Sequence, residues 1–113
     1  MQLQVTDLGE ASKVTLEGRL DTPGVGEIET RFTASIVPPG RNALVDLSGV
    51  TFLSSMGIRM LLTVGRALKG RNATMVLFGA QPAVFQSLEH VGMPDIIPMA
   101  ADETRALALL RPA

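Results

Sequence analysis

Two adjacent serines, Ser54 and Ser55, stand where an apolar run ends and an amphipathic pattern begins, in Thr51-Phe-Leu-Ser-Ser-Met-Gly-Ile-Arg-Met60. A serine at such a boundary is open to three chemistries. As a helix cap, its hydroxyl accepts a hydrogen bond from a first-turn N–H and contributes ~1 kcal/mol. As a nucleophile it needs a base and, in a Gly-x-Ser-x-Gly elbow, a glycine two residues earlier. Phe52 and Leu53 fill those positions, and the single histidine, His90, is predicted at the far end of another helix, so hydrolase chemistry is set aside. As a phosphoacceptor it is physically well placed, because the free N–H groups and positive dipole end of a helix stabilise an anion.

The remaining residue types narrow the field. The chain has no cysteine, which excludes disulfides, thiol catalysis and thiolate metal sites, and His90 has no second imidazole with which to share a metal. No metal and no cofactor are expected. Pro23-Gly-Val-Gly26 sits where a dinucleotide loop would, yet Glu29 holds the third glycine position and would repel a pyrophosphate. Ten basic against eleven acidic residues leave a net charge of −1, too little to draw the chain to nucleic acid or anionic lipid. No apolar run reaches the roughly 18 residues of a membrane span, and a cytoplasmic protein without membrane insertion is the expectation. At 113 residues, 46% of them hydrophobic, the chain suits one domain, 1–113.

The elements that position the serines follow from periodicity. Leu3 and Val5, then Val14 and Leu16, alternate with polar residues on either side of Asp7-Leu-Gly-Glu10, the pattern of a β-hairpin. Thr22-Pro23 opens a helix, as cap and first position, whose Val25, Ile28, Phe32 and Ile36 recur at helical spacing until Pro38-Pro39-Gly40. Ala43–Leu47 and Thr74–Phe78 are short apolar runs that read as central strands covered on both faces. Helices are predicted from Ser55, from Pro82 to Val91 and from Asp102 to Leu110, with a last short strand at Ile96-Ile97. The order ββαβαβαβα implies an α/β fold: a mixed sheet with an N-terminal hairpin and flanking helices.

On the helix after the serines, Ile58, Leu61, Leu62, Gly65 and Leu68 gather on one face and are expected to meet the sheet. Arg59, Thr63 and Arg66 lie opposite. Met56 and Met60 fall on that outward side too, where either a neighbouring helix covers them or they form an adaptable partner-binding surface rimmed by the arginines.

The segment Leu44-Val-Asp-Leu-Ser-Gly-Val-Thr-Phe-Leu-Ser-Ser-Met-Gly-Ile58 resembles that of STAS domains, the anti-sigma factor antagonists, in which an apolar strand ending Asp-Leu-Ser is followed by Val-x-Phe-x-Asp-Ser-x-Gly-Leu. Aligned on Phe52 and Gly57, Ser55 matches the family's phosphorylated serine, and Ser54 stands where aspartate is usual and is the second choice of acceptor. Glu17-Gly-Arg-Leu-Asp-Thr22 is similar to the family's Gly-x-Leu-Asp loop, and the element order extends the resemblance over essentially the whole chain.

The resemblance implies a non-enzymatic, single STAS-type domain that works by partner switching. Unphosphorylated, it would bind an anti-sigma factor that is also a serine kinase; phosphorylation would release it and a serine phosphatase would reset it. The partner surface it implies comprises Asp21, Ser54, Ser55, Met56, Arg59, Met60 and Thr63. For Asp21 a simple cap of the first helix is the competing reading. STAS domains also serve as subunits of lipid or anion transport complexes and of stress-signalling scaffolds, the alternative function; a small-ligand or nucleotide-binding role is a third.

Overall fold

The computed structural model describes residues 1–111. The expected domain reaches Ala113, whose last two residues lie outside the described ones. Strands β1 (Gln2–Asp7) and β2 (Ser12–Leu20) form the hairpin that the alternation of Leu3, Val5, Val14 and Leu16 requires, pairing antiparallel with Leu3 opposite Leu16 and Val5 opposite Val14. From β2 the chain alternates helix and strand: α1 (Thr22–Ile36), β3 (Ala43–Leu53), α2 (Ser55–Lys69), β4 (Met75–Phe78), α3 (Pro82–His90), a 3-10 turn at Met93–Asp95, β5 (Met99–Ala100) and α4 (Glu103–Leu110). The sheet runs β1-β2-β3-β4-β5 with every pair after the hairpin parallel.

That sequential order decides where the helices lie. Right-handed crossovers between successive neighbours all return over the same side of a sheet, so α1, α2 and α3 share one face. Their Val25, Ile28, Phe32, Leu61, Val64, Leu68, Val84 and Leu88 form the main core with Val14, Leu16, Val45, Leu47 and Leu77 of the strands. α4 closes the other face over β3 and β4, where Ala106 meets Leu44, Val76 and Phe78. β3 and β4 are thus covered on both faces, the reason their apolar runs are nearly continuous.

Several expectations are corrected. The last strand is Met99–Ala100 and not Ile96-Ile97. Ile97, only 3% exposed, is used as a core plug beneath α2, its amide bonded into the preceding turn at Met93, and the carbonyl of Pro98 is the first to receive a bond from β4, at Leu77. Asp21, not Thr22, caps α1. β3 continues through Ser48-Gly49 to Leu53 because β2, with two register shifts, pairs with it over that whole length.

Candidate functional site

β2 and β3 end side by side, Leu20 opposite Leu53, and each turns at once into a helix. In extended conformation, Asp21 and Ser54 cap these helices: Oδ1 of Asp21 accepts from Gly24 N at 2.8 Å, and Oγ of Ser54 accepts from Gly57 N at 3.2 Å. Ser54 is tied further. Its Oγ donates to the Leu20 carbonyl at 2.7 Å, and its amide donates to the same oxygen at 2.9 Å. The start of α2 is thereby fastened to the end of β2, so close that a Cβ at Gly57 would lie 2.9 Å from that carbonyl and 2.8 Å from Leu53 Cδ1. Glycine is required at 57 by this approach.

Ser55 is the first residue of α2 and is exposed, whereas Ser54 is half-buried. The two hydroxyls therefore differ in kind: that of Ser54 is spent on structure, and that of Ser55 faces solvent over the unpaired N–H groups of the helix start. The next residue, Met56, is 40% exposed, and Arg59, Thr63 and Arg66 continue its outer face along the helix. Among the described residues neither Arg59 nor Arg66 makes an ion pair, which leaves that face positively charged.

Met60 does not belong to it. It is 1% exposed and lies in the core cluster with Val64 and the apolar stripe of α1. The inward face that periodicity predicts is that of a helix resting on the sheet alone. Because α1 packs alongside α2, burial is rotated toward Met60 and Val64, and Ile58 and Leu62 are left only half-buried. Of the residues expected at a partner surface, the structure brings Asp21, Ser54, Ser55, Met56, Arg59 and Thr63 together around the start and outer side of α2, and places Met60 inside.

Asp21 is more than a cap. Its Oδ2 receives Arg19 Nε at 3.3 Å, and the Arg19 guanidinium stacks 4.4 Å above the Phe52 ring, which is 41% exposed. The Gly24 amide, aided by Arg19 against slight desolvation, holds the Asp21 carboxyl below the usual carboxylate range. Asp46, the fourth residue of β3, accepts from the amide and hydroxyl of Ser48 at 2.9 and 2.7 Å. Among the described residues no group of three His, Cys, Asp or Glu side chains could hold a metal ion.

A family model, the STAS domain, matches residues 2–106. The chain belongs to the STAS domain family. Relatives of this STAS chain include BtrV of Bordetella bronchiseptica, named as a candidate anti-sigma factor antagonist, 26% identical over 87% of this chain and 84% of its own length. An anti-sigma-factor antagonist STAS domain protein from Planctomyces limnophilus superposes with a TM-score of 0.85 at 22% identity, covering 96% of this chain and 97% of that one. The Bacillus cell fate determinant SpoIIAA, solved in its phosphorylated form, superposes with a TM-score of 0.71 at 19% identity over 97% of this chain and 100% of that one. The mixed α/β STAS fold expected from the element order is the fold found, and among the described residues no helix is long and apolar enough to cross a membrane.

Sequence patterning does not show what faces Ser55 across the start of α2. An open cleft of about 470 Å³ between α2 and α3 is lined by Ser55, Leu53 and Ile58 on one side and by Gln86, Ser87, His90 and Val91 on the other. His90, which looked remote, is there because α3 crosses back beside α2. The spacing of Ala83, Gln86, Ser87 and His90 marks one helix face, but nothing in a sequence says which element that face meets. The Arg19–Phe52 stack likewise depends on the β2–β3 register.

Proposed function

We propose that this STAS domain is an anti-sigma factor antagonist that binds an anti-sigma factor when unphosphorylated and is released when that partner, acting as a serine kinase, phosphorylates Ser55. A serine phosphatase resets the cycle, and the chain itself catalyses nothing. The observation that carries the reading is the division between the serines: the Ser54 hydroxyl is held in two hydrogen bonds, and the Ser55 hydroxyl is exposed at the positive end of α2. A kinase reaching Ser54 would first have to release the junction of β2 and α2.

The switch is electrostatic. A phosphoserine adds about −1.5 to −2 charges, and setting these against an apolar partner surface around Met56 costs on the order of several kcal/mol if they stay unpaired. No refolding is required, because the phosphate sits at an already exposed position. Arg59, four residues on and unpaired, is the side chain within helical reach of that phosphate.

The test is incubation with ATP and an anti-sigma kinase encoded beside this chain, read by intact-mass and peptide mass spectrometry. One phosphate is expected on the wild-type chain and on Ser54→Ala, and none on Ser55→Ala. Modification that survives Ser55→Ala and disappears in Ser54→Ala would reverse the assignment. Ser55→Ala is expected to keep its thermal midpoint, with a stability change within about 0.5 kcal/mol, because an exposed hydroxyl without a bond is lost.

A further inference from the structure

The free edge of the sheet opposite β5 is β1, and its hydrogen-bonding register can be worked out. The hairpin closes with Leu8 N bonded to Ala11 O at 2.8 Å, so the residues of β1 that bond β2 are the even ones. On β2, Ser12 N turns the other way to Asn42 O, in agreement. The N–H and C=O groups of Leu3, Val5 and Asp7 therefore point out of the sheet. β1 has no proline, no lysine and no bulge against β2, the devices that ordinarily blunt an edge. Among the described residues, the one side chain that bonds this backbone edge is Arg31, which donates to Leu3 O at 3.2 Å. Val5, at the centre, is 47% exposed.

We propose that two copies of this chain associate through their β1 edges, pairing antiparallel about Val5 so that the two sheets become one. The register is set by charge. A two-fold axis at Val5 places Leu3 opposite Asp7 of the second copy. Leu3, Val5 and Asp7 all project to the α1 side, since Leu3 and Val5 face the same way as the buried Leu16 and Val14. Arg31 of α1 thus stands beside Asp7 of the second copy, whose side chain is 72% exposed and whose Oδ1 already accepts from its own Gly9 amide and Arg41 at 2.8 and 3.1 Å, so the oxygen open to Arg31 is Oδ2. On pairing, Leu3 O exchanges the guanidinium for the amide of that Asp7, and Arg31 turns to its carboxylate. Asp7 is the one charged residue of β1, so no like charges meet across the new ladder. The partner is a second copy because this register is self-complementary, and the start of α2 takes no part in it.

The absence of cysteine makes the test clean. Two facing Val5 residues would form a hydrogen-bonded pair with Cα atoms about 5.5 Å apart, within the roughly 4.4–6.8 Å that a disulfide spans. Under mild oxidation Val5→Cys is expected to link into a covalent dimer, and Leu109→Cys, on exposed α4, is expected not to. Sedimentation equilibrium should show a concentration-dependent dimer, weakened about tenfold or more by Val5→Pro, which removes two ladder bonds while its missing N–H points outward and spares the fold. A wild-type chain monomeric at all concentrations, a dimer indifferent to Val5→Pro, or Val5→Cys linking no better than Leu109→Cys would overturn the proposal. Phosphorylation of Ser55 bears on none of these readouts.

Discussion

The starts of α1 and α2 are built to one plan and finished differently. In each, a strand ends, the next residue caps, and the third residue of the helix is a glycine whose amide meets the cap: Leu20-Asp21-Thr-Pro-Gly24 and Leu53-Ser54-Ser-Met-Gly57. Each glycine also abuts a backbone carbonyl, Arg19 O for Gly24 and Leu20 O for Gly57. The caps then diverge. Asp21 brings its own anion to α1 and pairs it with Arg19, so the charge at that helix start is already met. Ser54 caps α2 without charge and donates to Leu20 O, which a carboxylate could not do. The positive end of α2 is left available for an anion, and the next residue is the exposed Ser55. Two similar termini thus serve different ends: one is closed and structural, the other is open.

The glycines test the shared part of the plan, and with the largest effect. Both Gly24→Ala and Gly57→Ala set a methyl against backbone that cannot move aside, which costs about 1–3 kcal/mol or more. Gly24→Ala is expected to be the worse, because its Cβ would overlap the Arg19 carbonyl, whereas at Gly57 the nearest atom is the movable Leu53 Cδ1 at 2.8 Å. Denaturant unfolding of both variants checks this. Equal tolerance at both positions would mean that the close approach of helix to strand is not what selects glycine.

Next in size is Ser54→Ala, expected to cost about 1–2 kcal/mol by loss of a cap and of the bond to Leu20 O. Ser54→Asp sharpens the contrast with α1. The carboxylate restores a cap, but faces Leu20 O without a proton to donate and occupies the dipole end. Its stability is expected between those of Ser54→Ala and the wild type, and phosphate transfer to Ser55 should slow beside the added charge. Steady-state kinase assays on the two variants separate the contributions.

How much of this was legible beforehand depends on the range of the interaction. The hairpin, the order of helices and strands, the double coverage of β3 and β4, and Ser54 as a cap all follow from local pattern, and the local pattern held. Met60, for which a covered and an open reading both stood, and His90, expected at the far end of another helix, could not be set against their neighbours for one reason. Both positions are decided by a neighbouring helix, α1 over the flank of α2 and α3 beside its start, and periodicity along one element carries no information about what lies next to it. Ile96-Ile97 failed differently: two β-branched residues fit a strand, yet tertiary packing used Ile97 to fill the space beside Gly65, whose Cβ would lie 2.5 Å from Ile97 Cδ1. Asp21 was read as either a cap or a surface residue. The cap is placed by its bond to Gly24.

The smallest effect is the most diagnostic of the difference in charge. Asp21→Asn keeps a good capping side chain, so at neutral pH it should lose only the ionic share of the interaction with Gly24 N and Arg19. The folded Asp21 carboxyl titrates below its ordinary value of 3.8. A lowered folded pKa means that its stabilisation is fully present above the unfolded pKa and is lost as pH falls through the folded one. The gap in stability between wild type and Asp21→Asn should therefore be constant from neutrality down to about pH 5 and close on further acidification. Asp7 is also lowered, by the Gly9 amide and Arg41, and contributes an acid limb of the same sign, but it does so equally in both proteins and cancels in the difference. Ser54→Ala measured over the same range should show a gap independent of pH, since its cap carries no titratable group. If instead the two gaps track each other with pH, the charged and neutral starts are not distinct, and the reason for placing an anion at α2 rather than α1 falls with them.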